Sequence, residues 1–481
     1  MGTTAPFAPV TEGIARELSA ICGEEGVLWG VNLARYSHDQ VPETRHHRMP
    51  EIVVKPRSAA EVQAIVRLAN RERIPLTPRG AGSGLSGGAI PAHGGILLSV
   101  ERMNRILEID RASLVAVVEP GVVTNALDEA LKPVGLFFAG YPISEEICFI
   151  GGNVAHNAGG GRAVKYGVTR RYVTGLEVVT PTGEILNLGG KRLKDATGYD
   201  LIDLMVGSEG TLGIFTRITI RLLPRPLIRR SLIALFGESQ AEDRVDSALE
   251  VAPDLMVRGG IIPSAIEYMD RLSFQEACRA LKESLPWQSA GAALLLESDG
   301  RDEGQIRSEL GQMERICRDR GATGIFAAEG EEDWKRHWKI RKQVPWVLRN
   351  LSTHTSIEDL AVPIGEVRSL VRRIRELERE YALRIPTFGH LGDGNLHAHP
   401  LKEASSSEAE WLEKLPRLLT ELYRSTAALG GTISGEHGIG NKRRGYLSLV
   451  MGSGQIELMA RIKNALDPNG ILNPGKIFPS D

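Results

Sequence analysis

The sequence predicts an α+β protein of more than one domain, and three observations support this. Its 481 residues exceed what one hydrophobic core usually supports, so two or three domains are expected. Strand and helix patterns alternate through residues 46–226, interrupted by glycine-rich runs. Residues 227–420 mix strands with long charged helices, which is typical of a sheet with helices on one face. Pro224 and Pro226 mark the boundary between these parts.

The elements of the first part follow from local patterns. Residues 1–45 form an N-terminal segment with a helix predicted at 11–24. A second helix is predicted to begin at Ser58, because Ser-Ala-Ala-Glu is a capping box and the apolar residues that follow recur at helical spacing. We predict strands at 52–56, 74–78, 95–100, 114–119, 176–180 and 213–223, and a further helix at 124–131.

The elements of the second part are fewer and longer. Strands are predicted at 231–236 and 292–296, and helices at 306–320 and 365–381. Residues 421–481 form a C-terminal segment that is dominated by turn residues from Gly431 onward. We expect this segment to return to the first domain.

Composition excludes several classes of protein. The net charge of −2 gives no reason to expect a nucleic-acid partner. The four cysteines show no C-x-x-C spacing, which argues against a structural zinc site, an iron–sulfur cluster or a disulfide framework. A reducing cytoplasm is therefore expected, or a position at the inner membrane held by a partner. No apolar run reaches about 18 residues, so a transmembrane segment is not expected.

Three glycine-rich runs stand out in the first part. The first, Pro78 to Gly88, contains G-x-G-x-x-G, but the residues after it lack a helical pattern, so we reject a Rossmann fingerprint. What remains is a loop with bare backbone N–H groups, which suits a pyrophosphate. The other runs span residues 151–161 and 207–213. Together they predict an extended ligand that lies across many backbone amides.

A polar cluster near the C-terminus predicts a metal site. His390 and His397 flank Asp393-Gly394-Asn395, which reads as a tight turn, and Glu436-His437 follow later. Two imidazoles and a carboxylate suit one divalent ion such as Zn, Fe or Mn and leave a coordination position open. The alternative is a hairpin with two packing histidines, which the Glu436-His437 pair between glycines disfavours.

The motifs in order identify a resemblance. They are P-R-G-x-G-S-G-L-S-G-G, G-G-N-V-A-x-N-A-G-G, T-G-Y-D-L, G-S-E-G-T-L-G, H-x-G-D-G-N-x-H and G-E-H-G-I-G. This order resembles the vanillyl-alcohol-oxidase (PCMH) type flavoproteins, in particular their glycolate oxidase flavoprotein subunit and D-lactate dehydrogenase branch. The resemblance spans residues 45–478. It implies a two-subdomain FAD-binding domain and a cap domain with antiparallel sheet and helices.

The resemblance implies which residues bind FAD. The implied set is Pro78, Arg79, Gly80, Ala81, Gly82, Ser83, Gly84, Leu85, Ser86, Pro142, Gly151, Gly152, Asn153, Ala155, Asn157, Gly159, Gly160, Tyr166, Gly167, Glu209, Gly210, Gly213, Ile214 and Asn473. Covalent attachment in this family uses a His or Cys near these loops. Neither Cys148 nor His156 matches an attachment position, so non-covalent FAD is expected.

The resemblance also implies the reacting residues. His437 is the implied base, Arg341 grips the substrate carboxylate, and Asn395 hydrogen-bonds the substrate or orients the site. The alternative for Arg341 is a solvated helix arginine. The implied metal ligands are His390, His397 and Glu436.

The expected reaction is oxidation of a small 2-hydroxy acid, glycolate or D-lactate. Relatives acting on 2-hydroxyglutarate carry a Lys where this chain has Ile357, so a second substrate carboxylate lacks that partner. D-2-hydroxyglutarate dehydrogenase remains an alternative, as do an electron-relay subunit and an ether-lipid synthase of the same fold. Without cluster cysteines, electrons must leave to a quinone, a cytochrome, an electron-transfer flavoprotein or an iron–sulfur subunit.

Overall fold

The computed structural model describes residues 7–237 and 242–479, and the chain forms two compact units. Unit 1 comprises Met1–Gly159, Val168–Arg225 and Glu436–Asp481, and unit 2 comprises Gly160–Gly167 and Pro226–Gly435. The predicted boundary at 226/227 lies beside the observed one. The predicted boundary at 420/421 falls inside a helix of unit 2 instead, and the chain changes units only after Gly435.

Unit 1 contains a four-stranded sheet and the helices that cover it. Its strands are β1 (Val27–Leu28), β2 (Ile52–Val54), β3 (Leu76–Arg79) and β4 (Ile96–Ser99), and its first helices are α1 (Glu12–Cys22) and α2 (Ala59–Glu72). The order is β1-β2-β4-β3, with β2 and β3 parallel to β4. The Ser58 hydroxyl caps α2 by accepting from the Glu61 N–H, while the Glu61 carboxylate accepts from Arg57 rather than from Ser58.

A five-stranded sheet and a two-stranded pair complete unit 1. The strands are β5 (Ile106–Asp110), β6 (Val115–Val118), β7 (Leu136–Phe137), β8 (Val173–Val179), β9 (Ile185–Gly189), β10 (Ile214–Arg221) and β11 (Leu223–Pro224). The sheet order is β5-β6-β10-β8-β9, all antiparallel, and β7 pairs with β11. The helices are α3 (Thr124–Leu131), α4 (Ile150–His156), α6 (Leu201–Met205) and α14 (Ser453–Leu466).

Unit 2 is built on one seven-stranded antiparallel sheet. Its strands are β12 (Ile228–Phe236), β13 (Ala265–Asp270), β14 (Ala292–Gly300), β15 (Ala322–Ala327), β16 (Glu358–Ala361), β17 (Thr387–His390) and β18 (Asn395–Ala398). Their order is β15-β12-β14-β13-β17-β18-β16. The helices are α5 (Ala163–Tyr166), α7 (Glu242–Ala248), α8 (Val251–Val257), α9 (Arg271–Leu281), α10 (Glu303–Asp319), α11 (Glu331–Asn350), α12 (Val367–Tyr381) and α13 (Glu408–Ala428).

Helices cover both faces of the unit 2 sheet, so the prediction of helices on one face is wrong. Glu297 and Ser298 are neighbours on β14 and point to opposite faces. Glu297 accepts from the indole of Trp338 on α11, whereas the Ser298 hydroxyl donates to Glu309 on α10. The continuous apolar run at the start of β14 is typical of a strand that is buried on both faces.

The C-terminal tail is more regular than the turn-rich sequence predicts. Helix α14 lies between turns, and we missed it because none of its apolar side chains is fully buried. Past its end, the buried Asp467 carboxylate accepts the backbone N–H groups of Ile471 and Leu472 and pairs with Lys463. Lys463 also donates to the carbonyl oxygens of Thr211 and Leu472, at 2.8 Å each. This ion pair therefore anchors the tail within unit 1.

Among residues 7–237 and 242–479, no helix combines the length and the apolar character that crossing a membrane requires.

The buried pair in the tail leads to a stability prediction. Asp467→Ala leaves the Lys463 ammonium, whose side chain is only 12% exposed, without its carboxylate, and we expect the free energy of unfolding to fall by about 3 kcal/mol. Urea unfolding followed by circular dichroism measures this. Glu413→Ala is the control, because it removes an exposed pair with Arg417 at 3.0 Å and should cost about 0–1 kcal/mol. Equal shifts for both variants would contradict the anchoring role.

Candidate active site

Strand register in unit 2 gathers the predicted histidines on one face of the sheet. Strands β17 and β18 form a hairpin in which His390 lies opposite Asn395 and Phe388 lies opposite His397. Directly opposed residues of an antiparallel pair share a face, and so do residues two apart along a strand. The rings of His390 and His397 are therefore neighbours, with centroids 5.4 Å apart.

The turn between the two strands matches the prediction. Residues 391–393 form a 3₁₀ turn, and Gly394 has a left-handed backbone with φ of 81°. A Cβ on Gly394 would collide with the Val362 carbonyl oxygen, so both the angle and the space favour glycine. The Asn395 N–H donates to the Asp393 carboxylate at 3.3 Å. This local geometry fixes the register of the hairpin.

The neighbouring strand β13 supplies a carboxylate that sequence reasoning missed. Glu267 lies opposite His390 and is fully buried. Its two oxygens face His390 Nδ1 and Arg341 Nε, each at 2.6 Å. Burial alone would raise the pKa of Glu267, but His390 and Arg341 outweigh it and hold the pKa below its usual range. An ionised carboxylate only accepts hydrogen bonds, so His390 donates from Nδ1, and Nε2 is the ring nitrogen that would face an ion.

On the other side of the hairpin, β16 supplies a second carboxylate. Asp359 lies opposite His397, with an oxygen 3.7 Å from His397 Nδ1. It accepts from Asn395 Nδ2 and from the Ser434 hydroxyl, at 2.8 Å each. Gly435 passes so close to Asn395 that a Cβ there would collide with the amide. Asp359 therefore orients Asn395 and holds the chain that leads to Glu436.

Arg341 belongs to this cluster rather than to the solvent. It is 1% exposed, and its guanidinium carbon lies 4.7 Å from the centre of the Phe388 ring. The solvated-helix alternative is therefore wrong. Because Glu267 binds Nε of Arg341, the terminal Nη1 and Nη2 groups form the edge of the guanidinium that suits a substrate carboxylate.

The donor set in unit 2 fits a divalent ion. Ligand atoms of His390 and His397 lie within 4.8 Å of each other. Metal-ligating histidines commonly donate their second ring N–H to a carboxylate, as His390 does to Glu267. Both rings are buried, which keeps the nitrogens from bulk water.

In unit 1, the three glycine-rich runs meet. Asn473 Nδ2 donates to the carbonyl oxygens of Gly88 and Glu209, at 3.1 and 2.8 Å. The Glu209 N–H donates to the Ala155 carbonyl at 2.8 Å. One side chain from the tail thus joins the first and third runs, and a backbone bond joins the third to the second.

Open space lies in front of some of these glycines. Among the described residues, nothing lies within 4 Å of a Cβ built on Gly152. A Cβ on Gly84 would meet its nearest atoms at 3.9 Å, and one on Gly80 would meet the Gly152 backbone at 3.6 Å. Such bare backbone, with Gly82 at a φ of 72°, forms a cradle that fits a pyrophosphate.

Other residues predicted to bind FAD make hydrogen bonds or packing contacts with the protein itself. Arg79 donates to the carbonyl oxygens of His38 and Ala89, at 2.8 and 3.3 Å. Ile214 belongs to the hydrophobic core of unit 1, and a Cβ on Gly213 would collide with Val178. The side-chain contacts of these residues are therefore internal, and they hold the loops in shape.

The segment around Tyr166 belongs to unit 2. The Tyr166 hydroxyl lies 2.9 Å from both oxygens of Asp299 on β14, and Lys165 donates to Asp299 at 2.6 Å. Gly160 and Gly167 bound this segment, whereas Gly159 lies in unit 1. The second glycine run is therefore divided between the units.

Glu209 attaches the Glu436-His437 segment to the glycine runs. Its carboxylate oxygens accept the Ile439 and Gly440 N–H groups, at 2.7 and 2.6 Å. A Cβ on Gly159 would lie 3.3 Å from the Glu436 carboxylate. Glu436 and His437 thus lie in unit 1 beside the predicted cofactor loops.

The two residues considered for covalent attachment pack against protein groups. Cys148 is buried, its sulfur lies 3.2 Å from the Thr124 hydroxyl, and burial raises the pKa of its thiol. A thiol with a raised pKa is a poor nucleophile. His156 lies between the Gly152 carbonyl and the Ser86 hydroxyl, at 3.2 and 3.4 Å from its two ring nitrogens.

Comparisons with known proteins agree with this architecture. Residues 50–189 match the FAD binding domain model, and residues 241–477 match the model of the C-terminal domain of FAD linked oxidases. The chain is 38% identical to the glycolate oxidase subunit GlcD of Bacillus subtilis (strain 168), covering 98% of both chains. It is 35% identical to a D-lactate dehydrogenase of Anaerostipes hadrus, covering 92% of both.

A solved structure of p-cresol methylhydroxylase shares the fold, with a TM-score of 0.80, 18% identity and 99% coverage of both chains. The expected α+β fold of the vanillyl-alcohol-oxidase type is confirmed. The chain therefore belongs to the FAD-linked oxidases and is an FAD-dependent oxidoreductase.

Proposed function

We propose that this protein oxidises a small 2-hydroxy acid, glycolate or D-lactate, to the 2-oxo acid. The observation that carries the proposal is the face of the unit 2 sheet where His390, His397 and Arg341 meet. Two metal-ligand imidazoles beside an arginine suit a substrate with a hydroxyl next to a carboxylate. The named activities of the similar B. subtilis and A. hadrus proteins are of this class.

We further propose that Glu436 completes the metal site with His390 and His397. Gly435 lies against Asn395, which is opposite His390 on the hairpin, and Glu436 is the next residue. Two histidines and one carboxylate leave the ion open to substrate. This donor set accommodates Zn, Fe or Mn.

Each residue then has a part in the reaction. A bound FAD would supply the hydride acceptor, its N5 atom, and a bound divalent ion would supply the charge that acidifies the substrate hydroxyl. Arg341 binds the carboxylate through its terminal nitrogens, and Asn395, oriented by Asp359, holds the hydroxyl end. His437 accepts the hydroxyl proton, because imidazole changes charge near neutral pH.

The substrate is small in this proposal. Ile357 stands two residues before Asp359, is 6% exposed and carries no charge. A second carboxylate would lose its hydration there without an ionic partner. The final electron acceptor would be a quinone, a cytochrome, an electron-transfer flavoprotein or an iron–sulfur subunit. The B. subtilis relative is named as a subunit, which supports a partner protein without specifying the acceptor.

Anaerobic addition of substrate tests the proposed reaction. We expect D-lactate or glycolate to bleach the flavin absorbance in a single turnover, and D-2-hydroxyglutarate to be the poorest of the three. A stopped-flow spectrophotometer measures the rates. No bleaching by any of the three would favour a relay subunit or a synthase, and fastest bleaching by D-2-hydroxyglutarate would overturn the assignment of a small substrate.

His437→Ala tests the base. We expect turnover to fall by roughly 10² to 10⁴ with FAD still bound, because the hydroxyl proton loses its acceptor. Steady-state turnover and the flavin spectrum are both measured. His354 is the control: its side chain is 38% exposed, so His354→Ala removes a partly exposed imidazole of unit 2 and should leave turnover unchanged. Unchanged turnover in His437→Ala, or loss of its FAD, would reject the role.

Acid precipitation tests how FAD is held. Non-covalent FAD should remain in the supernatant, because Cys148 and His156 contact protein groups and Cys148 is a poor nucleophile. Absorbance of the supernatant and of the redissolved pellet measures the division. Flavin that stays with the pellet after washing in denaturant would show a covalent link.

A further inference from the structure

We infer that Glu267 is a positioning residue that fixes both a metal ligand and the substrate-binding arginine of unit 2. This inference rests on the proposed function, since it assigns His390 to the ion and Arg341 to the substrate. One carboxylate oxygen faces His390 Nδ1 and the other faces Arg341 Nε, each at 2.6 Å. Glu267 thus joins two residues that are far apart in the sequence.

Glu267 first determines which nitrogen of His390 can bind a metal. The Glu267 oxygen lies 2.6 Å from Nδ1, so this nitrogen is committed to the carboxylate and cannot also coordinate an ion. Nε2 is then the ring nitrogen that would coordinate an ion when one is bound. Hydrogen bonds of this kind also raise the basicity of a ligating imidazole.

Glu267 also sets the orientation of Arg341. The guanidinium is planar, so a bond at Nε fixes the plane in which Nη1 and Nη2 lie. The Phe388 ring beneath the guanidinium, 4.7 Å from its carbon, limits movement out of that plane. The terminal nitrogens therefore keep a constant relation to His390, because both residues hold the same carboxylate.

The surroundings leave Glu267 little freedom. It lies in β13, which pairs with β14 on one side and with β17 on the other. On the neighbouring segment, a Cβ on Gly161 would come within 2.7 Å of its carboxylate oxygen, so only glycine leaves that space. A carboxylate held by strands on both sides acts as a rigid support for the groups that it binds.

An ordinary buried ion pair is the competing interpretation. Arg341 alone would compensate the charge of Glu267, and His390 would then contribute only packing. The two interpretations differ in one measurable property. A positioning role makes the affinity for a metal ion depend on the geometry of Glu267, in addition to its charge.

Zinc affinity of the FAD-bound, metal-depleted full-length protein is the test. We expect the wild type to bind one Zn²⁺ in competition with a chromophoric chelator, and His397→Ala to lose this binding. Glu267→Gln cannot accept from both His390 and Arg341, so its Zn²⁺ affinity should fall by about 10- to 100-fold. The KM for the 2-hydroxy acid, measured at saturating Zn²⁺, should rise with it as Arg341 loses its orientation.

Glu297→Gln is the matched control. Glu297 lies in the adjacent strand β14, is fully buried and bonds Ser264 and the indoles of Trp334 and Trp338. The change removes an equally buried charge near the site, and we expect the Zn²⁺ affinity to stay at the wild-type value. An equal loss of affinity in both variants would overturn the inference, since general destabilisation would then explain it.

Glu267→Asp keeps the test decisive if Glu267→Gln does not fold. It retains the charge but shortens the side chain by one methylene, so it cannot span both partners, and Zn²⁺ affinity should fall here too. Wild-type affinity in the folded Glu267 variants would overturn the inference and leave the proposed function intact. A wild type that binds no Zn²⁺ through His397 would instead overturn the proposed metal site.

Discussion

The register of four antiparallel strands is the constraint on which the polar face of unit 2 depends. Because β13, β17, β18 and β16 are paired as they are, Glu267, His390, His397 and Asp359 point to the same side of the sheet. A slip of one residue would turn every one of these side chains to the other face. The left-handed turn at Gly394 fixes that register at its most sensitive place, between the two histidine-bearing strands.

This face is expensive to bury, and the contacts show how the cost is offset. Glu267 and Asp359 are both fully buried, and an isolated carboxylate there would be strongly unfavourable. Arg341 compensates the first charge, while the Asn395 amide and the Ser434 hydroxyl donate to the second. Apolar residues would fill the same space at less cost. The two buried carboxylates therefore serve a purpose other than stability. The geometry supports one such purpose, which is to orient the side chains that bind metal and substrate.

Local signals in the sequence predicted part of this arrangement, and tertiary contacts decided the rest. The hairpin at His390 to His397 and the Ser58 cap depend on neighbours a few residues away, so their patterns could be read directly. The role of Glu267 could not, because its partner His390 is 123 residues distant. A carboxylate in the middle of the mostly apolar strand Ala265–Asp270 was the available signal. The burial of Arg341 could not be predicted either. The charged residues around it in the sequence suggest a solvent-exposed helix face, and only the packing of α11 shows otherwise.

The glycine-rich runs show why a motif alone overstates how much of a loop binds ligand. Gly152 faces open space among the described residues, as a cofactor cradle requires, and a Cβ on Gly84 would make only ordinary contacts at 3.9 Å. Gly213 instead packs against Val178, and Gly440 lies where a Cβ would collide with the Ser86 backbone. The same residue type thus serves two needs in unit 1: an open approach for a ligand, and close contact between loops that hold that opening in shape. Both needs exclude a side chain, so the sequence alone cannot separate them. The space in front of each glycine distinguishes those that a ligand can approach from those that pack against other loops.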